Sequence, residues 1–473
     1  MEQNNKNFLT NDQESIIAHC TPKGSGAIAI LRLCGQDSVP IADKIAKLSS
    51  GKRLQDLPTH TIHHGYVISF DSKKEIIDEV LFFLMKAPKT FTGQDTIEIN
   101  CHNNPFIIES ILGQAILAGA RLADRGEFTK RSFLNEKIDM IQAEAINDII
   151  TAQTELALRK SMSQLQGSLS SYLSEIENDI VGLLSIAESS FEFLEEEQQD
   201  LAIDKLFKDR ISQILSNIKD VKENFNQQQQ IKNGLKISII GGVNLGKSTL
   251  FNALLKKDRA IVTNIEGTTR DSIECSIYKN GNFWMLTDTA GLRQTEDIIE
   301  QEGIDRSWQQ AAIADIILLV FDLSKKLTQQ QKEIYEQIIA KYKDKIIFIA
   351  NKADLQGDTV LENLDFLENQ KVIKVSALKK TGIKELEYKI EEKIQDIFLR
   401  VDSPFLLNQR QYNLILELEK KLQFIEIMCD NQIEYELTAY HLKEVLERLS
   451  ELTGRNVTEK LLDRVFSDFC VGK

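Results

Sequence analysis

The stretch Lys236–Ile240, KISII, followed directly by Gly241–Ser248, GGVNLGKS, decides the fold of the central part of this 473-residue chain. The second segment matches the phosphate-binding pattern G-x-x-x-x-G-K-[ST], placed between a strand-like run and a helical run. Its glycines let backbone N–H groups approach phosphate oxygens, and the helix N-terminus adds its positive end. We expect Lys247 to meet the β- and γ-phosphate oxygens and Ser248 to ligate Mg²⁺. The stretch therefore predicts a nucleotide-binding P-loop.

Apolar strand-like runs alternate with helical patterns around this loop. They lie at residues 236–240, 283–288, 316–322, 345–354 and 371–377. Short, nearly uninterrupted apolar strands with helices between them indicate a mostly parallel sheet that is covered on both faces. Residues 231–396 are therefore predicted to form one α/β domain.

Three further motifs end predicted strands, in the order that a guanine-nucleotide site requires. The first, 288–291 (DTAG), can serve the Mg²⁺ shell and the γ-phosphate. The second, 351–354 (NKAD), offers a carboxylate that accepts from guanine N1–H and the exocyclic amine, a pair that adenine lacks. The third, 376–378 (SAL), can support the base from its backbone. These motifs predict a Ras-like GTPase domain, and the residues assigned to GTP are Asn244, Leu245, Gly246, Lys247, Ser248, Thr249, Thr263, Thr268, Thr269, Asp288, Thr289, Ala290, Gly291, Asn351, Lys352, Asp354, Ser376, Ala377 and Leu378.

The polar loop Thr263–Asp271 is either an ordinary turn or the segment that completes the Mg²⁺ sphere, for which we choose Thr269. Leu292 stands where many small GTPases carry a water-orienting glutamine, so hydrolysis needs another group. Candidate acids follow in the sequence: Glu296, Asp297, Glu300 and Glu302. Arg270 and Arg293 are candidate arginine fingers, and a bound cation is the alternative.

The rest of the chain reads as an α+β domain followed by a helical domain. Strand-like runs lie at residues 27–33, 59–70, 79–85 and 96–101. A helical stripe then begins, with Met162, Leu165, Leu169, Leu173, Ile176, Ile180, Leu183 and Ala187 as packing residues. The polar run Phe225–Asn233 is interpreted as a linker or a fraying helix end. Near the C-terminus, Thr453-Gly454 should end one helix, and Asn456 with Glu459 should cap the next.

This pattern predicts a multidomain protein in which a GTPase domain is inserted into a discontinuous helical domain. The predicted domains are residues 1–137, 138–230, 231–396 and 397–473, with the second and fourth forming the two parts of the helical domain. Neither helical part needs to bury its own apolar stripe if the two pack on each other.

The composition restricts the class of protein. The net charge of −14 argues against a protein whose main device is a basic nucleic-acid-binding surface, although it leaves open RNA binding shared with a partner. The six cysteines form no C-x-x-C pair, so the sequence indicates neither a zinc ribbon nor a disulfide framework. No apolar run approaches the ~18 residues of a membrane span, and the N-terminus has no secretory pattern. A cytoplasmic location fits best.

Segments along essentially the whole chain resemble the tRNA modification GTPase MnmE (TrmE) family. Besides the GTPase motifs, they are residues 21–33 (TPKGSGAIAILRL), 90–102 (TFTGQDTIEINCH), 125–150 (RGEFTKRSFLNEKIDMIQAEAINDII) and 469–473 (FCVGK). The resemblance implies a homodimer that binds 5-formyl-tetrahydrofolate or a related tetrahydrofolate, with GTPase domains that meet in a K⁺-dependent way. With an FAD-dependent partner, MnmG (GidA), in a heterotetramer, the family adds an aminomethyl or carboxymethylaminomethyl group to C5 of the wobble uridine of certain tRNAs.

The resemblance also implies roles for individual residues. Glu300 would orient the attacking water, and Cys470 is either a residue of the modification chemistry or a buried packing residue. The K⁺ ligands would be Asn244, Thr263, Ile265 and Thr268. The folate ligands would be Arg32, Glu98, Lys137 and Lys473. With Lys247, the residues Glu300 and Cys470 are our predicted catalytic residues.

Residues 101–104 depart from the family. They read C-H-N-N where the family usually has C-H-G-G, a change that bears on the shape of the turn beside Glu98 and on folate affinity. Val471 also replaces the commoner isoleucine.

Two other functions are weighed against this one. The first is a regulatory GTPase that assists ribosome assembly without tRNA chemistry. It predicts clustered Lys and Arg near the C-terminus, whereas residues 397–473 alternate acids and bases. The second makes the N-terminal region a folate-binding interaction module only.

Overall fold

The protein is described here by a computed structural model that places residues 14–24, 26–192, 201–222, 225–242, 244–255, 273–279, 281–288, 308–324, 327, 329–355, 367, 370–399, 405–431 and 433–472. The chain forms two compact units. The first unit comprises Met1–Asn147, Ser163–Ile214 and Lys420–Lys473, and the second comprises Asp148–Met162 and Leu215–Glu419. The domain boundaries predicted after residues 137, 230 and 396 stay predictions.

The first unit contains a seven-stranded sheet in the described residues, in the order β3-β4-β5-β6-β2-β1-β7. Neighbouring strands are antiparallel except for β1 and β7. Four of its strands confirm predicted runs. The strands are β1 (Ile16–His19), β2 (Ile28–Cys34), β3 (Ala46–Leu48), β4 (Thr61–Ile68), β5 (Ile76–Met85), β6 (Thr96–His102) and β7 (Arg121–Leu122).

Helices α1 (Ser38–Ile45) and α2 (Pro105–Leu117) pack with one face of this sheet. Successive side chains of a strand point to opposite faces, so every second residue of β2, β5 and β6 enters this core. Burying each large apolar side chain contributes about 1.5–3 kcal/mol. The fully buried members on these strands include Leu31, Leu33, Phe82, Leu84, Ile97 and Ile99. Among the intervening residues, Arg32 and Glu98 are only partly buried.

Helices α3 to α7 follow in the chain. They are α3 (Glu127–Leu134), α4 (Met140–Thr151), α5 (Glu155–Leu165), α6 (Ser168–Glu192) and α7 (Leu201–Lys222). The predicted stripe is confirmed on α6, where residues from Leu169 to Ala187 at helical spacing are at most 3% exposed. It is wrong for Met162, which is 43% exposed. The stripe is not continuous because α5 ends at Leu165 and Gly167 adopts a φ of 93° before α6 begins.

The second unit contains a six-stranded sheet in its described part, in the order β13-β12-β11-β8-β10-β9, parallel except for the pair β9 and β10. Every residue of β11 is buried, as expected of a central strand in a covered sheet. The elements, in chain order, are α8 (Phe225–Asn233), β8 (Leu235–Ile240), α9 (Lys247–Leu255), β9 (Ile273–Lys279), β10 (Asn282–Asp288), β11 (Ile316–Asp322), α10 (Gln329–Tyr342), β12 (Ile346–Asn351), β13 (Val372–Lys374) and α11 (Ile383–Leu399).

Phe225–Asn233, predicted to be a linker or a fraying helix end, is helix α8, so the linker alternative is wrong. Gln228 is fully buried, its amide donates to Val221 O at 3.1 Å, and its carbonyl accepts the Leu407 N–H at 3.1 Å. Phe225 stacks on Tyr412 with ring centroids 3.8 Å apart. The polar side chain of Gln228 is therefore buried in this helix because backbone groups outside the helix satisfy it.

The chain ends with α12 (Gln409–Asn431), α13 (Tyr435–Thr453) and α14 (Glu459–Ser467). The predicted stop is confirmed, because Gly454 is the left-handed C-cap of α13 with a φ of 89°. The predicted cap at Asn456 is wrong. Thr458 is the N-cap of α14, and its side chain accepts the Leu461 N–H.

Candidate functional site

The P-loop joins β8 to α9 at one edge of the second unit's sheet. Asn244 and Gly246 have positive φ angles of 62° and 82°. A Cβ placed on Gly246 would lie 2.5 Å from Asn351 Nδ2, so the loop requires a glycine there. Lys247 begins α9, and its amine donates to the carbonyls of Gly241 and Gly242 at 2.9 and 2.7 Å. The ammonium is therefore held across the loop that is expected to receive phosphate.

The base-recognition motif contacts this loop directly. Asn351 Nδ2 donates to Leu245 O at 2.8 Å, and Asn351 Oδ1 accepts the Ala377 N–H at 3.1 Å. Lys352 Nζ donates to Asn244 O at 2.9 Å. These hydrogen bonds bring the P-loop, the 351–354 motif and the 376–378 motif together, as the sequence predicts.

The carboxylate expected to read guanine is also fixed. Ser376 Oγ donates to Asp354 Oδ1 at 2.6 Å, and this hydrogen bond holds the pKa of Asp354 below its usual range. An ionised carboxylate accepts hydrogen bonds only, which suits the two donors of the guanine edge. Leu378 follows with its side chain largely exposed.

Sequence reasoning missed Asp322, at the end of β11. Its carboxylate accepts from Lys352 Nζ at 2.6 Å and from the backbone and hydroxyl of Ser324 at 2.8 and 2.6 Å. Burial acts to raise the pKa of Asp322, but the Lys352 and Ser324 hydrogen bonds outweigh it, and the pKa lies below its ordinary value. A signal existed, because Asp322 ends a buried strand opposite Asn351 on β12.

Tyr335 was also missed. The hydroxyl of this α10 residue accepts the Gly242 N–H at 2.9 Å. Nothing in the sequence marks that contact, because the two residues lie 93 positions apart.

Asp288 ends β10 and is paired with Ile239 of the adjacent P-loop strand. Backbone placement therefore puts Asp288 at the same edge as Ser248. Mg²⁺ prefers oxygen ligands and usually takes few from the protein, so a serine hydroxyl and a nearby aspartate suit it. The other predicted residues of the metal and hydrolysis machinery lie outside the described residues: Thr263, Ile265, Thr268, Thr269, Thr289, Ala290, Gly291 and Glu300.

In the first unit, Arg32 and Glu98 face each other across β2 and β6. Arg32 Nε and Nη2 both lie 2.8 Å from Glu98 Oε1, and the guanidinium lies 5.4 Å from the centre of the Phe128 ring. Lys137 packs at the loop that holds Gly93, since a Cβ on Gly93 would lie 3.0 Å from Lys137 Cε. Lys473 lies outside the described residues.

The C-H-N-N departure is accommodated in the turn before α2. Asn104 is the N-cap of α2, has an extended φ of −118°, and accepts the Phe106 N–H at 3.0 Å. Asn103 Nδ2 donates to Gly24 O at 2.9 Å. These conformations do not require glycine at Asn104, and both side chains are used.

Cys470, near the C-terminus, is an exposed free cysteine, so the buried-packing alternative is wrong. Across the ranges placed above, no cluster of three or more His, Cys, Asp or Glu could hold a metal ion. The helices in those ranges include none that is long and apolar enough to cross a membrane.

Comparison with known proteins decides the family. Residues 140–470 match the family model of the MnmE helical domain, and residues 15–137 match that of the GTP-binding protein TrmE N-terminus. The chain belongs to the MnmE family of tRNA modification GTPases. The MnmE of Aquifex aeolicus is 39% identical over 98% of this chain and 100% of its own length. The MnmE of Bacillus subtilis is 36% identical over 97% of this chain and 100% of its own.

Solved structures with a similar segment include the G domain of the T. maritima FeoB iron transporter. It is 26% identical over 34% of this chain and 98% of its own, with a TM-score of 0.27. Aquifex aeolicus Era bound to GDP·AlF₄⁻ is 26% identical over 40% of this chain and 66% of its own, also at 0.27. Scores this low carry no argument here. As a member of the MnmE family, this chain is a GTP-hydrolysing enzyme of tRNA modification.

Proposed function

We propose that this chain is the GTP-hydrolysing component of a complex that adds an aminomethyl or carboxymethylaminomethyl group to C5 of the wobble uridine of certain tRNAs. An FAD-dependent MnmG partner would complete the complex as a heterotetramer around a homodimer of this chain. The supporting observation is the hydrogen-bonded assembly of the P-loop with Asn351 and Lys352, in a chain that matches MnmE relatives end to end.

Within the nucleotide site, each group has a chemical task. Lys247 would leave its loop carbonyls and pair with the β- and γ-phosphates, and Asp354 would accept the two N–H groups of guanine. Ser248 and Thr269 would ligate Mg²⁺, which neutralises charge on the phosphate oxygens. Glu300 would orient the attacking water, because Leu292 cannot.

K⁺ is proposed to take the place of an arginine finger. Backbone and side-chain oxygens suit such a cation, and they would come from Asn244, Thr263, Ile265 and Thr268. The cation would add positive charge where charge develops on the transferred phosphoryl group. GTP hydrolysis should consequently be much faster in K⁺ than in Na⁺ at equal ionic strength.

A formyl-tetrahydrofolate is proposed to bind the first unit. The Glu98 carboxylate can accept two hydrogen bonds from the amidine-like edge of a pterin, and Lys137 and Lys473 are cations suited to its glutamate tail. Arg32, which lies 2.8 Å from Glu98, would contact the ligand at the pterin end. Glu98 is already oriented by Arg32, which fixes the direction of its free lone pairs. The exposed Cys470 thiol is proposed to take part in the modification.

We also propose that the protein acts in the cytoplasm. Because this chain is acidic, its partner is proposed to supply much of the tRNA-binding surface. A net charge of −14 disfavours close approach to a polyanion without a local basic surface. If the isolated chain bound tRNA as tightly as the complex at moderate salt, this division of labour would be wrong.

The experiment is reconstitution of the chain with the FAD-dependent partner, followed by mass spectrometry of the wobble nucleoside. We expect the modified uridine only when GTP and K⁺ are both present. Equal product without GTP would remove the coupling. No product under any condition, together with GTP-dependent binding to ribosomal particles, would favour the ribosome-assembly alternative.

A further inference from the structure

The last described residues, 470–472, lie against the N-terminal part of the same unit, and we call them the C-terminal tail. Val471 forms an antiparallel bridge with Arg125, and the Cys470 carbonyl accepts the Gly126 N–H at 3.3 Å. Both contacts use only the backbone of the tail. They set the direction of the tail, and a side-chain contact from the sheet can add to them in fixing its position.

Arg32 supplies such a side chain. Its Nη1 donates to Gly472 O at 3.3 Å, while Nε and Nη2 lie 2.8 Å from Glu98 Oε1. A guanidinium presents five N–H donors in a rigid fork, so one side chain can serve the carboxylate and the tail at once. A lysine at this position has one nitrogen and cannot reproduce that fork.

Gly472 fits the tail closely to the end of β1. Its φ is 93°, and a Cβ built on it would lie 2.9 Å from Cys20 Cα and 3.0 Å from Cys20 Sγ. A side chain there would collide with backbone, and the positive φ would strain it. The tail consequently covers Cys20 only while residue 472 is a glycine held in this conformation.

We infer that Arg32 is a positioning residue that fastens the C-terminal tail, and with it Cys470, to the N-terminal sheet, with Glu98 orienting its guanidinium. This role is distinct from the folate contact proposed for Arg32 and operates without ligand. A ligand that draws Glu98 away from Arg32 would change what holds the tail, so ligand binding and tail position are coupled.

The test uses the full-length chain without folate and measures thiol labelling of each cysteine by mass spectrometry, with hydrogen exchange of the Gly126 amide. Arg32→Ala, Arg32→Lys and Gly472→Ala should each raise Cys20 labelling and Gly126 exchange by about 3- to 10-fold, the weight of one net hydrogen bond. Lys130→Ala, which removes an exposed pair with Asp463 in the same unit, is the matched control and should leave both rates unchanged.

Labelling of the buried Cys34 and Cys101 reports whether the unit stays folded. If Arg32→Ala exposes them, Arg32→Lys and Gly472→Ala decide, because neither empties the apolar core. Wild-type Cys20 labelling and Gly126 exchange in Arg32→Lys, with Cys34 protected, would overturn the positioning role. Faster Cys20 labelling in Gly472→Ala alone would assign tail docking to the glycine and also overturn it.

Discussion

The Tyr335 hydroxyl accepts the Gly242 N–H at 2.9 Å, which ties helix α10 to the first turn of the P-loop. Tyr335 is 4% exposed, and its ring meets Phe321 edge-on with centroids 5.2 Å apart. Burial raises the pKa of Tyr335, so the phenol stays protonated. The loop that is expected to hold phosphate is therefore supported by a hydrogen bond to a buried, neutral phenol.

Replacing Tyr335 by Phe should weaken nucleotide binding. The change leaves the Gly242 N–H without its acceptor at a cost of about 1–3 kcal/mol, so we expect roughly tenfold weaker GDP affinity by fluorescence titration. Tyr342→Phe, on the same helix, should bind like wild type. Unchanged affinity in Tyr335→Phe would show that the loop does not depend on this hydrogen bond.

Replacing Gly246 by Ala should separate the P-loop from the base-recognition motif. The new Cβ would meet Asn351 Nδ2 at 2.5 Å, and the left-handed conformation adds about 1–2 kcal/mol of strain. We expect loss of GDP binding and a lower urea midpoint for the second unit. Tryptophan fluorescence follows that unit alone, because the chain's two tryptophans, Trp284 and Trp308, both belong to it.

Gly113→Ala is the matched control for that substitution. Gly113 lies inside α2, and an added Cβ would meet no atom within 4 Å. Alanine is favoured over glycine in a helix interior by about 0.5–1 kcal/mol, so this variant should fold, bind GDP normally and leave the urea midpoint of the second unit unchanged. Equal damage from both substitutions would contradict the steric account.

Asp322 should make the stability of the second unit depend on acid pH. Its folded pKa lies below its ordinary value of 3.8, so its contribution is present above that value and is lost as pH falls through the folded pKa. Asp322→Asn should lower the urea midpoint at pH 6 and flatten its decline below about pH 4. Asp344→Asn, at an exposed position, is the control. An unchanged acid decline in Asp322→Asn would refute the assignment.

Replacing Glu300 by Ala should leave GTP binding intact and slow hydrolysis in K⁺ strongly. Leu292 cannot orient water, so hydrolysis needs another group, and Glu300 is the residue proposed for that role. Single-turnover hydrolysis measures the effect, and Glu296→Ala is the matched control in the same acidic segment. Normal hydrolysis by Glu300→Ala in K⁺ would move the role to another residue.

Local chemistry made the nucleotide site predictable. Each nucleotide-binding motif is a short contiguous segment that the sequence shows directly. The structure joins three of them, the P-loop and the motifs at 351–354 and 376–378, by direct hydrogen bonds. The strand-like runs likewise located strands β2, β4, β5 and β6 within a few residues.

Non-local contacts explain the failures. The linker interpretation of helix α8 fails because the side chain of Gln228 has its hydrogen-bond partners in Val221 and Leu407. Only the fold reveals the contact with Leu407. The N-cap of α14 is Thr458 and not Asn456, a difference of two residues that sequence spacing does not resolve. The Arg32 contact with Gly472 crosses 440 positions.

A substitution at Asp354 that changes the nucleotide preference tests most directly whether GTP hydrolysis in this chain drives uridine modification. Asp354→Asn exchanges an acceptor for an amide that can donate to the C2 carbonyl of xanthine, so nucleotide preference should move from GTP to XTP. In the reconstituted complex we predict that this variant modifies the wobble uridine with XTP and K⁺ and fails with GTP. Modification that still follows GTP, or that proceeds without nucleotide, would contradict the account.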